Sequence, residues 1–287
     1  MFPSLRYSIE NCGTPGLLPP LSARKVTLEE NKILVSLAGS EPESLLATTE
    51  TPTQTLMLPP GLRIISLLAD LYDRELVATI GWAKQVPGFT DLTLNDQMKL
   101  LQNTWTEVLT LSLLFRSLPK TGKLHFAPDL SLNETEASQC GLELFFEKVS
   151  QTGCGWLTSQ SDNPGVQCMV LLDRLDYIGF CKEEYLLLKA VVLANSDCSM
   201  EDTVATEQLR ESLLSSLQDA IQCVRSTNTN LQLEKLLLLL PCLRHVDTLI
   251  RMFWAKIRQV TNQDKLQWLV MQPGPRSQLT IHHNHYM

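Results

Sequence analysis

Apolar residues recur at spacings of three and four through Leu68, Leu71, Ala78 and Trp82, with Glu75 in the same series, so this stretch presents one helical face to a core. Pro59-Pro60-Gly61 punctuates its start and Pro87-Gly88 follows its end, which predicts a helix running to about Gln85. A second helix is predicted from about Leu94 to Ser117, capped by Asp91 or Thr93. After Trp105 it is apolar nearly all round, the pattern of a helix buried in the middle of a layered bundle. Leu124, Phe126 and Leu130 alternate within Lys123 to Leu132 and predict a short strand pair. Further helical stretches run from Thr203 to Arg225 and from Leu231 to about Val260.

The flanks read differently. Residues 1–58 carry scattered Pro, Ser, Thr and Glu with only short apolar clusters such as Ile33 to Leu37, which predicts a flexible linker or one transient helix. Residues 147–165 hold Gly153, Gly155, Asp162, Asn163, Pro164 and Gly165 and read as a surface loop. The stretch 273–287 is expected to be a disordered tail, which leaves one domain over 59–272.

Composition narrows the function classes. A hydrophobic share of 44% with only 6% aromatic residues is Leu-rich and ample for one core in a 287-residue chain. The net charge of −7, with no run of clustered Lys and Arg, argues against a nucleic-acid surface on this chain. The eight cysteines include no CxxC pair, so no zinc module is expected, and their irregular spacing favours free thiols. The longest apolar run, Leu236 to Leu240, is too short to cross a membrane, and the expected chain is soluble and intracellular. No nucleophile elbow, glycine-rich phosphate loop or HExxH is present, so neither an enzyme nor a cofactor is expected. Asn133-Glu134-Thr135 matches a glycosylation sequon that carries no meaning inside a cell, and His282, His283 and His285 read as part of the tail rather than a metal site.

The stretch from Trp82 to Gln102, WAKQVPGFTDLTLNDQMKLLQ, resembles the signature of nuclear-receptor ligand-binding domains. The match extends through Asp73-Arg74-Glu75-Leu76, Trp105, Glu107, Leu109 and Arg116. LANSD at Leu193 to Asp197 and LPCLRH at Leu240 to His245 look most like estrogen-related receptors, whereas FAPDL at Phe126 to Leu130 looks more like estrogen receptors. The resemblance covers about 56–265, with some twenty extra residues around 147–165. Its register resumes at Lys182-Glu183-Glu184-Tyr185, in a helix running to Asn195. It implies an all-α fold: a three-layer helical sandwich of about ten helices with a short β-hairpin.

Glu75 and Arg116 each sit in a strongly apolar helix, where an unpaired charge is costly, so each is expected to have a partner. The resemblance implies that they pair and hold a ligand hydroxyl; a purely structural ion pair is the other reading. It also implies that Leu68, Ala69, Leu109, Leu113 and Phe126 line a pocket for a steroid-like or phenolic ligand. Tyr72, one turn before Glu75, is bulky where estrogen receptors carry a small residue, and Phe253 stands where they place a histidine. Weak estradiol binding is therefore expected.

By the same match, Lys84 caps a coactivator LxxLL helix laid over Val77, Ile80, Leu94, Met98 and Leu101. The matching activation segment, Leu266-Gln267-Trp268-Leu269-Val270-Met271, carries no acidic residue to hold the other end of that helix. Leu233-Glu234-Lys235-Leu236-Leu237 is itself an LxxLL string, better read as core or dimer packing. Dimer contacts, with itself or related receptors, are implied around Leu236, Leu240, Arg244 and His245. The implied function is transcriptional regulation in the nucleus through dimerisation and coregulator helices, without a DNA-binding module and so in the manner of an orphan or dominant-negative receptor. An interaction scaffold and a carrier of lipophilic molecules are the competing readings.

Overall fold

The computed structural model describes residues 27–48, 60–140, 142–146 and 163–261. Among these the chain forms α1 (Lys32–Ser40), α2 (Pro60–Ala83), α3 (Leu94–Arg116), the hairpin β1 (Leu124–Ala127) and β2 (Leu130–Leu132), α4 (Glu134–Gln139), α5 (Glu143–Phe146), α6 (Pro164–Tyr177), α7 (Lys182–Ala194), α8 (Thr203–Val224), α9 (Thr229–Leu237) and α10 (Leu240–Thr261). Helices α3, α7 and α8 form the middle layer. Helices α1 and α2 pack on one side and α6 and α10 on the other. The middle position of α3 follows from its sequence: every residue from Thr104 to Leu114 is buried. Helix α7 is buried from Glu184 to Ala194 for the same reason.

Thr93 rather than Asp91 caps α3, accepting from the Asp96 amide at 3.1 Å. Asp96 is itself buried, and its two carboxylate oxygens accept from Glu201 N (2.8 Å) and Asp202 N (2.9 Å) at the start of α8. One side chain thus fixes the relation of two middle-layer helices. Gly88 takes a φ of 86°, which lets the chain turn sharply between α2 and α3. Asn133 of the sequon forms a capping box with Glu136 at the start of α4, a local structural role that accounts for the motif.

Three expectations need correction. Part of the stretch read as linker is structured and docked. Leu37 of α1 is fully buried, and Asn31 caps the helix while its Nδ2 donates to Ser216 O at 3.0 Å. Beyond α1, Asp129 at the hairpin turn accepts from Ala47 N (2.7 Å) and Thr48 N (2.9 Å), and Arg74 donates to Leu46 O (2.9 Å). Buried Leu34 and Leu37, with half-buried Ile33 beside them, suffice to dock a helix this short once a cap and a strap hold it. The domain therefore reaches back at least to α1, and 59 is not its edge; residues 1–26 and 49–59 lie outside the described residues.

Asn163, Pro164 and Gly165 do not form loop. Asn163 caps α6, Pro164 occupies its first turn, and Gly165 is buried so closely that a Cβ would meet Phe145 O and a Phe146 ring carbon, both at 2.7 Å. These turn-forming residue types mark a helix start rather than a loop. Residues 147–162 of that expected loop, the activation segment 266–271 and the tail lie outside the described residues. Finally, the single helix expected from Leu231 to Val260 is broken at Leu238-Leu239. Pro241 has no amide hydrogen to donate to Leu237 O, so a turn separates α9 from α10.

Candidate functional site

The two charges expected to find each other do so. Arg116, at the end of α3, donates from Nη1 to Glu75 Oε1 of α2 at 2.6 Å. Its Nη2 donates to Phe126 O (3.0 Å) and its Nε to His125 O (3.4 Å), so the guanidinium also ties β1 to the layer. Burial pushes the Glu75 pKa above the ordinary carboxylate range, and the Arg116 charge and hydrogen bond only partly offset it.

Of the residues expected to line a pocket, Leu109 borders the cavity described below together with Glu75 and Arg116, whereas the others are absent from its walls. Leu68, Tyr72, Leu109, Leu113, Phe126 and Phe253 are all buried, and Ala69 is half-buried. Tyr72 meets Trp254 edge-on at 5.4 Å between ring centroids, and Trp254 meets Phe253 at 5.1 Å. Phe253 continues to Phe145 (5.2 Å) and Phe145 to Phe126 (5.7 Å). These edge-to-face spacings are those of a filled core, not of a ligand chamber. In the sequence Tyr72 is legible as a bulky residue that fills space and Phe253 as a position without a hydrogen-bonding atom; Trp254 and Phe145, which complete the chain of rings, carry no such signal.

On the outer side of the same pair lies a cavity of about 600 Å³. Its walls are α2, the turn after α6, α3, α7 and the strap from Glu41 to Leu45. Across it, Glu41 accepts from Tyr185 OH (2.6 Å) and from Lys189 Nζ (2.9 and 3.0 Å). Lys189 is almost fully buried, and its ammonium lies 4.4 Å from the centre of the Trp82 ring. Burial lowers the Lys189 pKa, with Glu41 opposing that shift. Sequence reasoning missed this cluster, although a lysine inside the apolar run Leu186 to Ala194 was the available signal.

The α2–α3 face carries the expected coregulator residues in two states. Val77, Ile80 and Leu94 are exposed at 70, 37 and 65% respectively, beside an exposed Lys84. Met98 and Leu101 are half-buried between them and the core. Three large apolar side chains facing water on one face form a patch of the kind that marks an interaction surface.

The expected dimer residues divide. His245 is exposed and Leu240 half-buried, but Leu236 is fully buried and has no surface to offer a partner. Arg244 is engaged inward, with Asn195 O at 2.7 Å, with Glu107 at 3.4 Å and with Asp197. The exposed apolar residues of α9 and its junction with α10 are instead Leu231 and Leu238, with Met252 further along α10.

Glu107 is another buried carboxylate. Its Oε2 has no hydrogen-bond partner among the described residues, and burial, opposed by Arg244, pushes its pKa up to about 7. A carboxyl raised in the folded state stabilises fully below its unfolded pKa, and that contribution is lost as pH rises through the folded one. Thermal melts should therefore show stability falling between about pH 4.5 and 7, and Glu107→Gln should flatten that part of the profile by roughly 1–2 kcal/mol. An unchanged profile in Glu107→Gln would assign the slope to other groups.

With this geometry in view, comparison with known proteins is decisive. A family model described as the ligand-binding domain of nuclear hormone receptor matches residues 63–253. The chain belongs to the nuclear hormone receptor family. Steroid hormone receptor ERR2 of Homo sapiens is 36% identical over 219 residues, covering 74% of this chain and 44% of that protein. Estrogen-related receptor gamma of Homo sapiens is 34% identical over 219 residues, covering 76% and 43%. Estrogen receptor of Danio rerio is 32% identical over 232 residues, covering 76% and 37%. The chain thus spans less than half the length of these relatives. The all-α sandwich with its short hairpin is the fold of this receptor domain, and the family is one of receptors rather than enzymes. No helix among the described residues is long and apolar enough to cross a membrane.

Proposed function

We propose that this nuclear-receptor domain regulates transcription in the nucleus by holding coregulator helices on its α2–α3 face and by dimerising along α9 and α10. In this reading the interior pocket of the fold is occupied by the chain's own aromatic side chains. The observation that carries the reading is the exposed strip Val77, Ile80 and Leu94 ending at Lys84, set against a filled aromatic interior. An apolar strip flanked by a cation fits an amphipathic LxxLL helix, because the lysine complements the carbonyls at that helix's C-terminus. Dimer contacts then fall on Leu231, Leu238, His245 and Met252, with Leu236 supporting them from beneath.

The peptide's N-terminal amides also need a partner, and Leu266 to Met271 contains no carboxylate. Losing a charge-assisted contact of that kind weakens binding by about 1.5–3 kcal/mol, roughly ten- to a hundred-fold. Longer corepressor helices, which rely less on that end, suffer less. Fluorescence polarisation with both peptide classes should show weak coactivator binding, stronger corepressor binding, and loss of the coactivator signal in Lys84→Ala. Tight coactivator binding that a ligand strengthens further would overturn this reading.

A further inference from the structure

We propose that Lys189 is a reactive amine that captures flat conjugated aldehydes as a reversible imine in the cavity beside it. The inference rests on neither the coregulator reading nor the dimer reading.

The amine comes first. Lys189 sits in the buried, apolar run of α7, only 3% of it is exposed, and it lines the cavity of about 600 Å³. Taking a lysine out of water disfavours its ammonium form, which is how proteins make an amine nucleophilic. Here burial is the largest influence and lowers the Lys189 pKa, with Glu41 opposing. The groups around Nζ can move the protons that imine formation requires. Glu41 accepts from Nζ through both oxygens, at 2.9 and 3.0 Å, and from the Tyr185 hydroxyl at 2.6 Å. Ser112 Oγ lies 3.0 Å from that same hydroxyl. The Glu41 carboxylate takes one proton from the ammonium, and the neutral amine attacks the aldehyde carbon. The Nζ–C bond forms, and the second proton released by nitrogen passes to the carbonyl oxygen, giving a carbinolamine. Glu41 then returns its proton to that hydroxyl, the C–O bond breaks and water leaves. One ammonium and one aldehyde thus give one protonated imine and one water, with no oxidant or reductant.

Charge decides the class of electrophile. The imine nitrogen stays cationic, so its pairing with Glu41 and its place 4.4 Å from the centre of the Trp82 ring both survive the reaction. Acyl transfer would instead leave a neutral amide and strand the half-buried Glu41 without its cation. The body of the ligand is set by the aromatic side of the cavity: Phe115 stacks on Tyr185 at 4.0 Å and meets Phe180 edge-on at 6.0 Å, with Leu118 and Pro119 beside them. Flat conjugated rings suit such a surface. Exposed Lys182 stands at the mouth of the same cavity, in the path of the same aldehyde, and serves as the internal comparison.

The test exposes the full chain at neutral pH to 2-naphthaldehyde with sodium cyanoborohydride, which reduces each imine to a stable amine, and maps the adducts by peptide mass spectrometry over time. Lys189 should be labelled at least about tenfold faster than exposed Lys84 and Lys182. Acetaldehyde, which has no ring for the Phe115–Tyr185 wall, should show no such preference. In a chain unfolded with guanidinium the preference for Lys189 should vanish, because it comes from the cavity and not from the local sequence. Labelling of Lys189 no faster than that of Lys182, the same preference with acetaldehyde, or a preference that survives unfolding would each overturn the proposal.

Discussion

Glu75→Ala is expected to destabilise the domain by about 3 kcal/mol, because it leaves Arg116 partly buried without its carboxylate. The estimate sits at the low end for a broken buried pair. Arg116 keeps two carbonyl partners in β1, and 22% of its side chain remains in contact with water. For a domain of this size each kcal/mol moves the melting midpoint by about 2–4 °C, so a fall of roughly 6–12 °C is predicted. The raised pKa of Glu75 shows that burial works against its charged form. Intact, the pair therefore fixes geometry more than it adds stability. The double variant Glu75→Ala/Arg116→Met should accordingly recover part of the loss, since it removes the orphaned charge together with its partner. A loss under about 1 kcal/mol in the single variant would place the pair among ordinary exposed ion pairs and remove its role as the clamp between α2, α3 and β1.

How far the sequence specifies this arrangement depends on the length of the pattern that carries each element. Helices α2 and α3 are long and periodic, and their ends were legible to within a residue or two because Pro60, Gly88 and Thr93 punctuate them. Helix α1 was not legible as part of the domain. Its burial rests on Leu34 and Leu37, with Ile33 packed half-buried beside them, and its docking on Asn31, Asp129 and Arg74, contacts between residues distant in sequence that no periodicity reveals. The site divides in the same way. Glu75 and Arg116 announce themselves as charges on apolar faces, and so in principle does Lys189. That Glu41 would be the partner of Lys189 depends on where the strap folds, and this is set by tertiary contacts. The turn before Pro241 separates α9 from α10, with Leu236 buried and Leu238 exposed on either side of it.

Estradiol should bind the unmodified chain no more tightly than micromolar, and Tyr72→Ala should change that outcome. Tyr72 is buried at 5% exposure and meets Trp254 edge-on, so its ring occupies the volume a steroid ring would need. Phe253, packed between Phe145 and Trp254, fills the far end and carries no polar atom for a second ligand hydroxyl. Burial further raises the Tyr72 phenol's pKa, so this side chain stays neutral across the physiological range. Truncating a buried aromatic residue costs about 3–5 kcal/mol, the transfer term plus the cavity left behind. The Tyr72→Ala variant should therefore melt lower than the parent and contain an apolar void one turn from Glu75. A phenolic ligand that enters the void can donate to Glu75 and accept from Arg116, and in doing so it stabilises the folded state in proportion to its concentration over its dissociation constant. Thermal shift with rising estradiol should accordingly raise the midpoint of Tyr72→Ala and leave that of the parent unmoved, with Phe253→Leu as a milder opening at the distal end. Nanomolar estradiol affinity in the parent would show that the aromatic cluster opens readily, and an undiminished melting midpoint in Tyr72→Ala would show that the ring was never part of the core.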